Sequence, residues 1–151
     1  MQATLFFEQA KKELHLPQDT KLTSAYQFGG DPDKLAKLVL HRIKTATSSA
    51  FDLYEGEETD PIPKAGGYDV ILDSQNNPIC VTITDYVKVI PFKNVDSYHA
   101  YREGEGDKSL NYWNKIHRDF FEKEFQEEGK IFNPLTSNVV IEEFHIIYPK
   151  K

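Results

Sequence analysis

The stretch that most constrains the fold of this chain lies at residues 101–110, where two glycines alternate with three acids as Glu-Gly-Glu-Gly-Asp. A glycine inside a helix costs about 1 kcal/mol relative to alanine, so a helix is not expected to continue through this stretch. Glycine also lets the backbone adopt positive φ or approach a ligand closely. The stretch predicts a loop between two helices, and its composition fits either a functional site or a solvated acidic loop.

The length of the chain, 151 residues, suits one domain with one core, so we expect residues 1–151 to form a single domain. The lone cysteine, Cys80, excludes an internal disulfide and a cysteine-rich zinc site. No apolar run approaches the roughly 18 residues that span a bilayer, and the N-terminus lacks the pattern of a signal peptide. We therefore expect a cytoplasmic protein that does not contact the membrane.

The net charge of the chain is −6. Binding to a nucleic-acid backbone depends on Lys and Arg that neutralise phosphates, so a general DNA- or RNA-coating protein is not expected. A local basic groove stays compatible with this charge, and a nucleoside or another small ligand would be less affected by it.

Apolar residues at helical spacing, together with capping residues, predict four helices. They begin near residues 4, 32, 96 and 110. The second follows Asp31 and Pro32, an N-cap and a proline at the first helical position. The last follows Asp107 and Ser109, either of which is able to cap it.

Runs of β-branched and apolar residues predict strands at 68–72, 79–90 and 139–148. Residues 43–49 predict a strand or an irregular extended turn. The segment that carries Tyr26 and Phe28 is predicted as a loop, as is the acidic run at 55–61. This order favours an α+β fold with a small mixed or antiparallel barrel-like sheet and helices packed outside it.

The five histidines form neither a His-x-His nor a His-Glu-x-x-His pattern, and no phosphate loop or dinucleotide fingerprint occurs. We therefore predict no metal and no cofactor. Cys80 lies in an apolar run and is interpreted as a small buried hydrophobe rather than a nucleophile. His117, beside an apolar helical stripe, is interpreted as a hydrogen-bonded, half-buried histidine.

Lys44 and Thr47 are a candidate pair for amide hydrolysis. A partly desolvated lysine acts as a base or stabilises an anion, and a threonine hydroxyl attacks a carbonyl or holds a water. A nearby carboxylate shuttles the proton. Residues three apart on a straight strand point to opposite faces, so the pair shares a pocket only if the segment bends. By itself this spacing is weak evidence, because most such pairs are a surface lysine and a strand threonine.

Four blocks of the chain, at residues 38–48, 89–95, 99–113 and 117–121, together closely resemble the ASCH domain family (activating signal cointegrator homology), in its bacterial stand-alone branch. The most specific part is the Glu-Gly-Glu-Gly-Asp block followed by Trp113 and, four residues later, His117. The resemblance extends from about Tyr26 to Tyr148.

The resemblance implies a PUA-like fold, a small mixed β-barrel with helices packed around it. It also implies binding of RNA, a nucleotide or a nucleoside in a cleft beside the barrel. Some small members resemble amidohydrolases that cleave N4-acetylcytidine, and others look like ribonucleases. In the amidohydrolase branch a lysine, a threonine three residues later and a downstream glutamate form a metal-independent active site, which corresponds to Lys44, Thr47 and Glu103 here.

The chain departs from the broad family motif at two positions. Arg42 stands where glycine is usual, and Ser49 stands where arginine is usual. Arg42 and Arg102 are candidates to replace the missing arginine. The predicted ligand-binding residues are Arg42, Ser49, Arg102, Glu105, Tyr26 and Trp113. Tyr26 and Trp113 are aromatic side chains that stack on a base or belong to the core.

Three functional interpretations follow. The first is a cytoplasmic protein that binds RNA or a nucleotide or nucleoside; it expects a basic strip beside the cleft, built from residues such as Lys21, Arg42, Lys64, Lys88 and Arg102. The second is a hydrolase of N4-acylated cytidine-type nucleosides or a ribonuclease; it expects Lys44, Thr47 and Glu103 to converge on one cleft. The third is a small-ligand or protein-interaction module without catalysis.

Overall fold

The computed structural model describes residues 1–54 and 62–150, so the acidic run predicted as a loop at 55–61 lies outside the described residues. The described helices and strands are, in chain order, α1 (Ala3–Leu14), β1 (Ser24–Gln27), α2 (Pro32–Leu40), β2 (Ala46–Ala50), β3 (Tyr68–Leu72), β4 (Pro78–Pro91), α3 (Ser97–Glu103), α4 (Leu110–Glu127) and β5 (Asn138–Tyr148). None of the described helices has the length and apolar character needed to cross a membrane.

The five described strands form one mixed sheet in the order β1-β3-β4-β5-β2. Strands β1 and β3 are parallel, and the other neighbouring pairs are antiparallel. The sheet curls into a half-barrel, with β1 and β2 at its two edges. The predicted α+β architecture is therefore confirmed.

Strand β1 lies in a segment that was predicted as a loop, and that prediction is wrong. Three of its four residues are exposed, so the sequence lacks the apolar alternation that marks a half-buried strand. Its extended conformation depends on parallel pairing with β3, in which Ser24 lies opposite Asp69 and Tyr26 opposite Ile71. The partner strand is more than forty positions away in the chain, so local sequence carries little trace of the pairing.

Three of the helices pack their apolar faces on the sheet. Phe7 and Ala10 of α1 contact a cluster with Val70, and α2 packs around Phe144. Helix α4 contributes a larger aromatic cluster, which contains Trp113, Phe121 and Phe125 with Phe92, Phe132, Val139 and Ile141. The core therefore packs α2 against β3, β4 and β5, and it brings α4 against Ala50 of β2 and Val139 of β5.

Cys80 is fully buried in the cluster around Phe144, as the sequence predicted. Burial raises the pKa of its thiol to about 12, so it carries no thiolate at neutral pH.

Gly104 explains why the acidic stretch contains glycine. It ends α3 in the left-handed conformation, with φ 73°. A Cβ atom at this position would lie 2.5 Å from the carbonyl oxygen of Ile43. Gly106 is also left-handed, with φ 57°, and a Cβ there would lie 2.5 Å from the ring of Tyr112. Gly104 therefore lets the acidic loop approach the segment that carries Lys44, and Gly106 lets it approach Tyr112 of α4.

We expect Gly104→Ala to destabilise the protein by more than Gly129→Ala, a control with nearly the same φ, 69°, and open space around its Cβ position. In the control, alanine destabilises the protein only through the left-handed conformation, by about 1–2 kcal/mol. In Gly104→Ala, the clash with Ile43 adds a further loss of stability, which we expect to be at least about 1 kcal/mol. Urea unfolding of both variants measures the difference, and equal losses would contradict the proposed close approach.

Candidate active site

Lys44 reaches its position because α2 ends in a sharp reversal of the chain. Arg42 adopts the left-handed conformation, with φ 64°. The amides of Ile43 and Lys44 both donate to the carbonyl oxygen of Leu38, at 2.8 and 3.0 Å. Lys44 thus precedes strand β2 rather than belonging to it. Because Lys44 lies before the strand, the alternation of side chains between the two faces of a strand does not force it to point away from Thr47. The side chains of Lys44 and Thr47 both line one cavity.

The ammonium group of Lys44 lies between two carboxylates of the acidic loop. Its Nζ is 3.2 Å from Oε1 of Glu103 and 2.8 Å from Oε2 of Glu105. The side chains of Lys44 and Glu103 are each 1% exposed, whereas that of Glu105 is 15% exposed. The contact is therefore a buried ion pair, supplemented by a second carboxylate nearer the solvent.

Glu103 has three further neighbours that are able to donate to it. His99 Nε2 and Trp113 Nε1 each lie 2.7 Å from its Oε2. His117 Nε2 lies 3.4 Å from its Oε1. Together with Lys44, these groups surround both oxygens of Glu103 with donors. The carboxylate is thereby fixed in place and stabilised in its charged form.

The hydrogen bonds of His117 favour its charged form. Its Nδ1 donates to the carbonyl oxygen of Trp113 at 3.0 Å, and its Nε2 faces the Glu103 carboxylate. Both ring nitrogens therefore face acceptors. Burial lowers the pKa of His117, but attraction to Glu103 outweighs it and the net pKa is raised.

The buried charges stabilise one another. Burial alone would lower the pKa of Lys44, but Glu103 and Glu105 outweigh that effect, so its pKa is raised. Burial alone would raise the pKa of Glu103, but Lys44 and His117 hold it well below its ordinary value. The resting site therefore contains a charged amine and a charged carboxylate rather than a free base.

A cavity of about 240 Å³, here called the main cavity, opens beside this ion pair. Lys44, Thr47, Glu103, Glu105 and His117 form its polar wall. Aromatic side chains form much of the remainder, namely Phe28, Tyr112 and Phe120. Among the described residues, the Thr47 hydroxyl has no hydrogen-bond partner, so it is available to a ligand.

A second cavity of about 460 Å³ adjoins the main cavity and shares with it the walls formed by Phe28, Gly29, Thr47, Ser48 and Phe120. Its polar lining includes Tyr26, Ser49, Tyr54, Asp69, Thr84 and Glu142. The hydroxyl groups of Ser49 and Tyr54 are hydrogen-bonded at 2.8 Å.

Asp69 and Glu142 are both 5% exposed, and each has a hydroxyl donor. Ser24 Oγ donates to Asp69 Oδ1 at 2.6 Å, and Thr84 Oγ1 donates to Glu142 Oε2 at 2.7 Å. Burial raises the pKa of both carboxyls, and the pKa of Glu142 reaches about 7. Glu142 is thus partly protonated at neutral pH.

The predicted site residues fall into three groups. The structure brings Lys44, Thr47, Glu103 and Glu105 together on the main cavity. Tyr26 and Ser49 line only the second cavity. Arg42, Arg102 and Trp113 line neither of them.

These last three residues have contacts of other kinds. Trp113 is buried in the core, where its indole N–H fixes Glu103. Arg102 donates to the Thr45 carbonyl at 3.4 Å and lies 3.7 Å from Glu143. Arg42 is exposed, and its Nη2 donates to the Pro149 carbonyl at 3.4 Å.

Sequence reasoning gave no functional role to His99 and His117, although both contact Glu103. A signal was present in the spacing, because His99 and Glu103 are four residues apart on α3, as are Trp113 and His117 on α4. Residues at this spacing share one face of a helix. The spacing does not reveal that the two faces meet at one carboxylate.

Glu103, Glu105 and His117 offer three potential ligand atoms within 4.8 Å of one another. The Lys44 ammonium already lies at hydrogen-bonding distance from both carboxylates and would repel a divalent cation. The prediction of no metal therefore stands as a prediction, with Lys44 as the cation of this site.

Comparisons with known proteins place the chain in a family. The model of the ASCH domain matches residues 24–148, so the chain belongs to the ASCH domain family. This result confirms the resemblance drawn from residues 38–48, 89–95, 99–113 and 117–121. No curated protein shows significant sequence similarity to the chain.

Solved structures agree with this assignment. An ASCH domain from Lactobacillus crispatus JV V101 is 30% identical, with a TM-score of 0.85, over 95% of this chain and 92% of that one. A protein from Enterococcus faecalis V583 is also 30% identical, with a TM-score of 0.82, over 98% and 95% of the two chains. An ASCH protein from Zymomonas mobilis, at 13% identity and a TM-score of 0.51, covers 82% of this chain and 69% of that one and shares the fold alone. The predicted PUA-like α+β fold is thereby confirmed.

The left-handed backbone of Arg42 gives a physical reason why glycine suits this position. The left-handed conformation costs a residue with a Cβ atom about 1–2 kcal/mol of conformational free energy, and glycine does not have this cost. We expect Arg42→Gly to be more stable than Arg42→Ala by about 1 kcal/mol. At Lys37, an exposed position in α2, the order should be reversed by about 1 kcal/mol in favour of alanine. Urea unfolding of the four variants tests this reversal, and the same order at both sites would contradict it.

The raised pKa of Glu142 predicts a pH-dependent stability. Because its pKa is about 7 in the folded protein and about 4.5 for an ordinary glutamate, the folded state retains a proton that the unfolded state loses. This contribution is fully present below about pH 4.5 and is lost as the pH rises toward 7, by up to about 3 kcal/mol.

Glu142→Gln stays neutral, so its free energy of unfolding should lack this decline between about pH 4.5 and 7. Urea unfolding across that range measures the difference from wild type. Glu143→Gln, one position along β5, controls for the loss of a carboxyl from the strand. Parallel pH profiles for wild type and Glu142→Gln would contradict the prediction.

Proposed function

We propose that the protein binds a nucleoside in the main cavity and hydrolyses an amide on its base, with N4-acylated cytidine-type nucleosides as the substrate class. The observation that carries this proposal is the convergence of Lys44, Thr47 and Glu103 on one cavity, with Lys44 Nζ 3.2 Å from Glu103. The family resemblance supplies the substrate class, because the corresponding residues form the active site in its amidohydrolase branch.

Hydrolysis adds water to the amide: the carbonyl carbon gains a hydroxyl group, the C–N bond breaks and the leaving nitrogen takes up a proton. Lys44 enters this reaction as an ammonium group, because Glu103 and Glu105 raise its pKa. It therefore suits the role of a donor to the carbonyl oxygen, where negative charge develops. Thr47, whose hydroxyl has no partner among the described residues, attacks the carbonyl or holds the water.

The two glutamates are suited to different roles. Glu103 is surrounded by donors and has a strongly lowered pKa, so it is a weak proton acceptor and a firm anchor for Lys44. Glu105 has a more exposed side chain that lines the cavity. We therefore assign proton transfer to Glu105 and positioning of Lys44 to Glu103.

The charges of the cavity support a nucleoside over a polyanion. Three acids, Asp31, Glu103 and Glu105, line the main cavity together with three basic side chains, Lys34, Lys44 and His117, so the cavity has no excess of positive charge for a polyanion. Of the five basic residues expected to form an RNA-binding strip, none lines the main cavity, and Lys64 alone lines the second. Binding of RNA, with or without ribonuclease activity, is therefore our second candidate.

A pair of variants at Thr47 tests the hydrolase. We expect Thr47→Val to lower kcat/KM on N4-acetylcytidine by roughly a hundredfold or more, because it removes a hydroxyl from the reacting region without changing the volume. Thr47→Ser keeps the hydroxyl and should stay within about tenfold of wild type. Steady-state kinetics on a panel of N4-acylated cytidines and short RNAs measures both effects.

Lys44→Ala is the second arm of this experiment and should also lose activity. Lys37→Ala is its control, since Lys37 is an exposed lysine of α2, the helix that precedes Lys44, and lies outside the cavity lining. Lys44→Ala leaves a buried carboxylate without its cation and so destabilises the fold. The decisive comparison is therefore between Thr47→Val and Thr47→Ser. Equal turnover by wild type and Thr47→Val would exclude this hydroxyl from the mechanism, and cleavage of RNA alone would favour the second candidate.

A further inference from the structure

We propose that the second cavity is a sugar subsite, in which Asp69 and Glu142 accept hydrogen bonds from the vicinal hydroxyl groups of a ribose. This inference rests on the proposed binding of a nucleoside in the main cavity and extends it to a site with separate residues. The ligand class is a ribonucleoside with free 2′ and 3′ hydroxyl groups.

Two buried carboxyls of the second cavity have hydrogen-bonding capacity that the described residues do not use. Within the described part of the chain, neither Asp69 nor Glu142 has a basic partner; their neighbours are hydroxyl groups and each other. Glu142 Oε1 accepts no hydrogen bond from a described residue, although the residue is 5% exposed and lines the cavity. Glu142 Oε1 is not among the fully buried unpartnered atoms of the described residues, so this oxygen is accessible to a ligand that supplies a donor.

A second, independent observation lies at the boundary of the two cavities. The Ser48 hydroxyl is buried and has no partner among the described residues, and Ser48 lines both cavities. Tyr26 and the Ser49–Tyr54 pair add further hydroxyl groups to the second cavity. Hydroxyl groups donate and accept, which matches a sugar diol better than a group that only donates or only accepts.

The protonation of the carboxyls also favours a neutral diol over a cationic ligand. Burial raises the pKa of Asp69, and that of Glu142 is about 7. The pair therefore carries less than two full negative charges at neutral pH, and its attraction for a cation is reduced. A partly protonated Glu142 is also able to donate to a hydroxyl oxygen.

The register of the sheet places the two subsites side by side. Thr47 of β2 lies directly opposite Glu142 of β5 in an antiparallel pair. Side chains of such opposed residues share one face of the sheet, with Cβ atoms about 4.5–5.5 Å apart. A base held at Thr47 and Lys44 therefore has its attached sugar within reach of Glu142 and Asp69. The phosphate of a nucleotide gains nothing from these two carboxyls, which supports a free nucleoside.

The experiment compares kcat/KM for three substrates: N4-acetylcytidine, its 2′,3′-dideoxy analogue and the free base N4-acetylcytosine. We expect wild type to prefer the ribonucleoside by roughly tenfold to a hundredfold over both others, the range that hydrogen bonds to charged groups provide. Glu142→Gln and Asp69→Asn should each reduce that preference to less than about threefold. Glu143→Gln, whose carboxyl faces Arg102, should retain it.

The outcomes separate this inference from the proposed hydrolysis. Equal turnover of ribonucleoside and free base by wild type would overturn the sugar subsite and leave the hydrolase intact. If none of the three is turned over, the hydrolase fails, and calorimetric titration with cytidine, 2′,3′-dideoxycytidine and cytosine decides the subsite. Tighter binding of cytidine than of the other two ligands, lost in Glu142→Gln, would support the sugar subsite. Equal affinities of wild type for the three ligands would overturn it. The dideoxy comparison uses wild type alone, so it holds even if Asp69→Asn fails to fold.

Discussion

The buried contact between Lys44 and Glu103 is the interaction on which the rest of the site depends. Burial removes both charges from water, which costs a large amount of free energy. The attraction across the 3.2 Å contact does not by itself offset this cost. Glu103 is also held by His99 and Trp113, and Lys44 is also held by Glu105. Removing one partner of such a pair typically costs about 3–5 kcal/mol, so the charges are a structural unit as well as a chemical one.

This ion pair and its neighbours connect three helices, of which α2 packs in one hydrophobic cluster and α3 and α4 pack in another. Lys44 follows α2, which packs around Phe144, and Trp113 belongs to α4, which is anchored by the aromatic cluster. Glu103 ends α3, and Gly104 lets that end approach the backbone of Ile43. Since the elements are fixed by packing, the charged groups are held in position before any ligand arrives. Preorganised donors of this kind stabilise developing charge without a cost of reorganisation.

Local patterns predicted much of the fold. Asp31 and Ser109 cap α2 and α4 as expected, with backbone amides donating to them at 3.2 and 3.1 Å. The strands β3, β4 and β5 follow the apolar runs, whereas β1 was missed because its pairing with β3 leaves no local periodicity. Within the site, Lys44 and Thr47 were a candidate pair from their chemistry and spacing, and the family resemblance added Glu103. His117 was read only as a hydrogen-bonded histidine, and Asp69 and Glu142 were not singled out, because their roles depend on neighbours that are distant in the chain.

The sequence by itself determined where the helices begin and that no helix continues through the acidic stretch. It also determined the family, through four blocks of neighbouring residues between positions 38 and 121. Only the tertiary structure decided that Lys44 meets Glu103 and Glu105, 59 and 61 residues away, and that Ser24 meets Asp69, 45 residues away. The physical reason is that capping and periodicity act within a few residues. The charge state of a buried group instead depends on burial and on every charge that folding brings near it.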